Sequence, residues 1–219
     1  MNRQIVRLGP EHCDRAVATL AAAFHQDPAM VHMLPDEASR ARRLTRLIGW
    51  MVDQHLRLGL VLGTPEVSAV TLWRPPGTVH YHEPLWHPGA LRFIPIFGRH
   101  LPRALRTDEG ISRHLPKGEA WMYLKMAGVD PVHQGKGLGG AMIRTGLAEA
   151  ARLGVPSVLE TATPSNVGLY QRLGYAIASE WDVAGGGPHF WTMTNPDPVA
   201  AAGETGSPHP GSAGAVDRG

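Results

Sequence analysis

The sequence predicts one α/β domain built on a mixed sheet. Strand-like runs at 120–129 and 155–161 are joined by a helical stretch, which makes a βαβ unit with parallel strands. Short turns join 60–62 to 67–73, and 175–183 to 189–194, which makes two antiparallel hairpins. The 219 residues are enough for one domain with a real core.

Each element has its own local reason. Residues 3–8 (RQIVRL) alternate and read as a first strand. From Glu11 to Phe24, apolar residues fall at Cys13, Ala16, Val17, Leu20 and Phe24, the spacing of one helix face. That helix stops near Asp27-Pro28, because proline disfavours helix in the residue before it. A second helix over Asp36–Leu58 turns Leu44, Leu47, Ile48, Met51 and Val52 inward and ends at Gly59. Residues 74–118 scatter proline, glycine and histidine among apolar residues, with one helix expected in Pro88–Leu105. After the strand Ala120–Val129 comes a helix from about Gly137 to Leu153, closed by Gly154, then the strand Val155–Thr161. Asn166–Leu173 reads as a short helix ended by Gly174, and Gly185-Gly186-Gly187 turns the last hairpin. The domain is expected over 1–195, and the Pro, Gly and Ala-rich 196–219 as a disordered tail.

Composition narrows the partners. A formal net charge of +2 lacks the concentrated basic face that nucleic acid requires. No apolar run approaches the ~18 residues of a membrane span, and residues 1–10 lack the apolar segment of a signal peptide. A lone cysteine, Cys13, rules out an internal disulfide framework and suits a reducing cytoplasm. The expectation is a cytoplasmic protein that engages neither nucleic acid nor membrane.

The chemistry concentrates in "HQGKGLGGAM", His133 to Met142, with four glycines between a strand and a helix. Two phosphate-binding patterns fit. Gly135, Gly137 and Gly140 match the dinucleotide pattern G-x-G-x-x-G, and Glu160 lies about twenty residues on, where such domains keep a ribose-binding acid. Gln134, Gly137 and Gly139 match Q-x-x-G-x-G, a loop for the pyrophosphate of an acyl-CoA. Too little chain follows Glu160 to build a series of βα units, which disfavours the dinucleotide reading. A Walker loop fails because Gly137, not Ser or Thr, follows Lys136. Either way, amides at a helix N-terminus make an anion site. Lys136 adds charge there or simply faces solvent.

Residues 119–175, "EAWMYLKMAGVDPVHQGKGLGGAMIRTGLAEAARLGVPSVLETATPSNVGLYQRLGY", resemble the cofactor half of the GNAT acetyltransferases. With "RAVATLAAAFHQDPAM", they are similar to the branch of that family formed by puromycin N-acetyltransferase and its relatives. The resemblance implies the GNAT acyl-CoA N-acyltransferase fold, an acetyl-CoA cosubstrate, no metal, and acetylation of a primary amine on a small molecule. Its fourth and fifth strands would splay, with pantetheine against Ala127, Gly128 and Val129. The pyrophosphate would lie on Gly135, Lys136, Gly137, Leu138, Gly139 and Gly140, with Gln134 at the loop's edge. Residues 74–118 would shape the acceptor pocket.

Acetyl transfer from a thioester to an amine needs a base, an oxyanion donor and an acid for the leaving thiolate. A backbone N–H of the fourth strand would serve as the oxyanion donor. The resemblance assigns the acid to Tyr170, four residues past Asn166, which would bond the cofactor. Glu160 is the expected base, or else a structural hydrogen-bond acceptor; Glu119 and His114 are weaker candidates. Phe24, Asp27 and Trp50 are candidate acceptor contacts, with His25, Trp73 and Trp86 beside them, while packing and helix-end roles compete for each. His80, His82 and His87 have a metal-like spacing without an evident fourth ligand. Acetylation of a protein lysine or N-terminus, and a non-catalytic acetyl-CoA-binding module, stay open beside the small-molecule reading. Monomer and homodimer are both open.

Overall fold

Turn chemistry and one crossover helix generate the sheet. In this computed structural model, residues 4–78, 91–117 and 120–198 are described. Strand β1 (Val6–Arg7) pairs with β2 (Leu60–Gly63), β2 with β3 (Ala69–Arg74), and β3 with β4 (Met122–Val129), all antiparallel. Strand β5 (Ser157–Thr161) runs parallel to β4. β7 (His189–Asn195) then pairs antiparallel with β5, and β6 (Ala176–Asp182) lies outside it. The order is β1-β2-β3-β4-β5-β7-β6. The mixed sheet and both hairpins match the sequence expectation.

Alternation along the strands sends neighbouring side chains to opposite faces. Val61, Val70 and Leu72 join the core under α1 (Cys13–Phe24) and α3 (Glu37–Leu58). Leu62, Trp73, Met122 and Leu124 face the other way, toward α6 (Leu138–Leu153) and α7 (Pro164–Gln171). The five α3 residues expected inward are all buried. Gly146 lets α6 rest directly on Trp73, since a Cβ there would lie 2.1 Å from the indole.

Three expectations need correction. No element was expected between Asp27 and Asp36, yet a short helix α2 (Pro28–Met33) lies there, capped by Asp27 and opened by proline at its first position. Val67 is not strand but turn, with φ of 57°, and the second hairpin strand starts at Ala69. The single helix expected in 88–105 is two, α4 (Phe93–Phe97) and α5 (Leu101–His114). Gly98 separates them with φ of 52°, outside helical space, and α5 then continues a further nine residues past Leu105. The residues past 198, His80, His82, Trp86, His87 and Glu119 fall outside the described residues.

Candidate active site

The loop between β4 and α6 is shaped by its glycines and by one side-chain tether. Gln134 Nε2 donates to the Val129 carbonyl at 3.2 Å and tethers the loop to the strand end. Gly135 and Gly137 hold φ of 76° and 77°, where only glycine is unstrained, and Gly137 caps α6. Among the described residues, no N–H from Gly135 to Gly140 donates a hydrogen bond within the chain. Unused donors at the positive end of a 16-residue helix fit an anion such as a pyrophosphate. Lys136 is exposed and its Nζ donates to the Val132 carbonyl at 3.2 Å, so its charge stays near the loop.

The sheet opens beside this loop. β4 and β5 pair only through Met122–Ser157, Tyr123–Val158 and Leu124–Leu159. Beyond that, β4 stays on β3 as far as Val129, while Glu160 and Thr161 stay on β7. Ala127, Gly128 and Val129 therefore have a partner strand on one side only. Over them lies α1: a Cβ on Gly128 would sit 2.8 Å from Leu20, 3.0 Å from Ala23 and 3.4 Å from Phe24.

Two ionisable side chains reach this parting from opposite faces. Glu160 follows Val158 by two residues and so shares the face of Tyr123 and Val158. Its Oε1 is buried with no hydrogen-bond partner among the described residues. Burial pushes its carboxyl up to about 7, against the opposing pull of the Lys125 charge and a hydrogen bond from Tyr123. Tyr170, on α7, is buried on the other face, with Tyr175 edge-on at 6.0 Å. Burial first, and the nearby Asp27 charge second, push its phenol up to about 12. A carboxyl balanced near neutrality and a phenol that keeps its proton suit a base and an acid.

Residues 105–177 match the acetyltransferase (GNAT) domain. An uncharacterized N-acetyltransferase of Schizosaccharomyces pombe is 27% identical over 176 residues, 74% of this chain and 69% of that protein. A histone acetyltransferase HPA2-related structure from Corynebacterium glutamicum superposes with a TM-score of 0.69 at 22% identity, over 89% of this chain and 96% of its own. Arylalkylamine N-acetyltransferase 2 of Aedes aegypti gives 0.58 at 11%, over 88% and 98%. The fold is that of the GNAT acetyltransferases. The chain is an acetyl-CoA-dependent N-acetyltransferase.

The remaining candidates of this acetyltransferase fall into two groups. Phe24 packs beside Gly128 on the open strand, and Asn166 lies in the first turn of α7, one turn before Tyr170. Asp27 is committed to structure: Oδ1 accepts from Ala29 and Met30 N–H at 3.0 and 3.2 Å, and Oδ2 from the Thr163 hydroxyl at 3.1 Å. It thereby ties α2 to the start of α7. Burial raises its carboxyl despite those bonds. Trp50 packs edge-on against Phe93 at 4.9 Å in the α3–α4 contact. Trp73 is fully buried and donates to Thr71 Oγ1 at 3.0 Å, which makes it core rather than pocket. His114 stacks on Trp181 at 4.6 Å, and its Nδ1 lies 2.8 Å from the Gly110 carbonyl, a packing role.

Sequence reasoning passed over Tyr123, Lys125 and His55. His55 is buried on α3, and burial drives its imidazole down to about 4. A lysine inside the apolar strand "MYLKMAGV" was the available signal, since a strand buried on both faces seldom holds a charge without a reason.

Proposed function

We propose that this acetyltransferase moves an acetyl group from acetyl-CoA to a primary amine of a small molecule. The observation that carries this reading is Glu160: a carboxyl with one buried, unpartnered oxygen, where β4 and β5 separate. Acetyl-CoA supplies the acyl group as a thioester. Amides of Gly135 to Gly140 hold its pyrophosphate, Ala127 to Val129 offer strand pairing to its pantetheine arm, and Asn166 bonds it from α7. Glu160 takes a proton from the acceptor ammonium, directly or through one water. Tyr170 returns a proton to the sulfur as it departs. Phe24 borders the acceptor end of the gap. Among acceptors, the sequence resemblance favours an amine antibiotic such as puromycin, whose acetylation removes a positive charge and a hydrogen-bond donor.

The test follows free CoA thiol released from acetyl-CoA against a panel of puromycin, aminoglycosides, amino acids and a lysine peptide. Turnover with one small amine, reduced about 10²-fold or more in Tyr170→Phe with CoA affinity intact, is the expected result. Turnover with the lysine peptide alone would overturn the small-molecule reading. CoA binding without turnover on any small amine of the panel would also count against the small-molecule reading.

A further inference from the structure

Strand β4 carries a β-bulge at the point where the sheet parts. Leu72 pairs with Met126 and Trp73 with Leu124, so Lys125 is the extra residue. The faces confirm it: Leu124 and Met126 are two apart yet sit in different cores. Bulges of this kind re-aim a side chain, often beside an active site. Here the Lys125 ammonium turns back onto its own strand and donates to the Tyr123 hydroxyl at 3.2 Å. Tyr123 is buried and pairs with Val158, two residues before Glu160 on the same face of β5, which sets its phenol beside the carboxyl. Oε1 of Glu160 is buried and has no hydrogen-bond partner among the described residues.

Resting on the base role of Glu160 above, we propose that Lys125 and Tyr123 are its positioning residues. The chain from the ammonium through the phenol fixes the Glu160 carboxylate in place to take the amine proton. Charge supports the geometry. Among the described residues Lys125 has no carboxylate within 4.0 Å, and its charge is shared between Asp108 and Glu160. Lys125 and Tyr123 both lower the Glu160 carboxyl against its burial. The other charged groups around the chain come from three elements: Arg74 on β3, Asp108 on α5 and His55 on α3. Arg74 and Asp108 also act on this chain, whereas His55 is neutral above about pH 4; among these groups Lys125 is the one that donates a hydrogen bond to Tyr123.

The test is the pH profile of kcat/KM with any amine that turns over, for wild type, Lys125→Met, Lys125→Arg and Tyr123→Phe. In wild type the rate rises through the Glu160 titration. Removing the ammonium or the phenolic donor makes the carboxylate harder to form, so the rising limb moves to higher pH, by about one unit for either change. Lys125→Arg keeps the charge and the wild-type limb. Should a Lys125→Met protein lose CoA binding through misfolding, Tyr123→Phe and Lys125→Arg still decide. An unmoved limb with a uniformly lower rate in Tyr123→Phe and Lys125→Met would overturn the proposal, because a structural role alone predicts that pattern. A different result, an unchanged limb in Glu160→Gln, would instead strike the base assignment on which the proposal rests.

Discussion

Replacing Glu160 by glutamine should stabilise the folded protein while it removes the proposed base. The reason is a buried acid held away from its preferred charge state. Its carboxyl titrates near 7 in the fold against an ordinary 4.5. Each tenfold change in proton affinity is 1.36 kcal/mol, so above neutrality the ionised group costs the fold about 3 kcal/mol. The sign follows from which state binds protons better. Between pH 4.5 and 7 the folded state holds the proton and the unfolded state does not, so wild-type stability falls as pH rises through that window. Glutamine does not titrate and escapes the loss. For a domain of this size, about 3 kcal/mol corresponds to roughly 6–12 °C in Tm at pH 8. Thermal unfolding of both proteins at pH 4, 6 and 8 checks this. The expected pattern is near equality at pH 4 and a growing advantage for Glu160→Gln toward pH 8. A difference that does not change with pH, or a less stable glutamine variant at pH 8, would refute a destabilised carboxylate at this site. Activity should fall by about 10²-fold or more in the same variant.

Three further outcomes are expected. Gly137→Val forces a β-branched residue to φ of 77°, which should distort the loop and weaken CoA binding at least about tenfold by titration calorimetry, at a stability loss of about 1–3 kcal/mol. Gly146→Leu drives a side chain into the Trp73 ring and should destabilise the protein by about 1–3 kcal/mol or more in urea unfolding, whereas the same change at the open Gly49 removes no packing. Asp27→Ala removes the N-cap of α2 and the tie to Thr163, and should lower stability by about 0.5–2 kcal/mol, read by the denaturation midpoint.

The places where sequence reasoning fell short share one cause. Asp27 was legible as a boundary residue but not as an N-cap, because proline one residue on marks a helix start as readily as a helix stop. Gly98 was read through as part of one helix, although its φ of 52° is a backbone choice that no apolar periodicity reports. The four-residue spacing of Asn166 and Tyr170 was legible because both lie in one helix, where local geometry sets the neighbour. Lys125 was not, because its role depends on a bulge, and a bulge is a property of two paired strands.

By itself the sequence determined the mixed sheet, the crossover helix and the glycine loop, because period, turn residues and left-handed glycines are local properties of the chain. Only the tertiary structure decided where β4 and β5 separate, that Glu160 and Tyr170 reach the gap from opposite faces, and that Tyr123 and Lys125 stand behind Glu160. Proton affinity at Glu160 is of the same kind. Desolvation of a carboxylate is set by everything packed around it, and the residues that surround Glu160 come from strands and helices far apart in the chain.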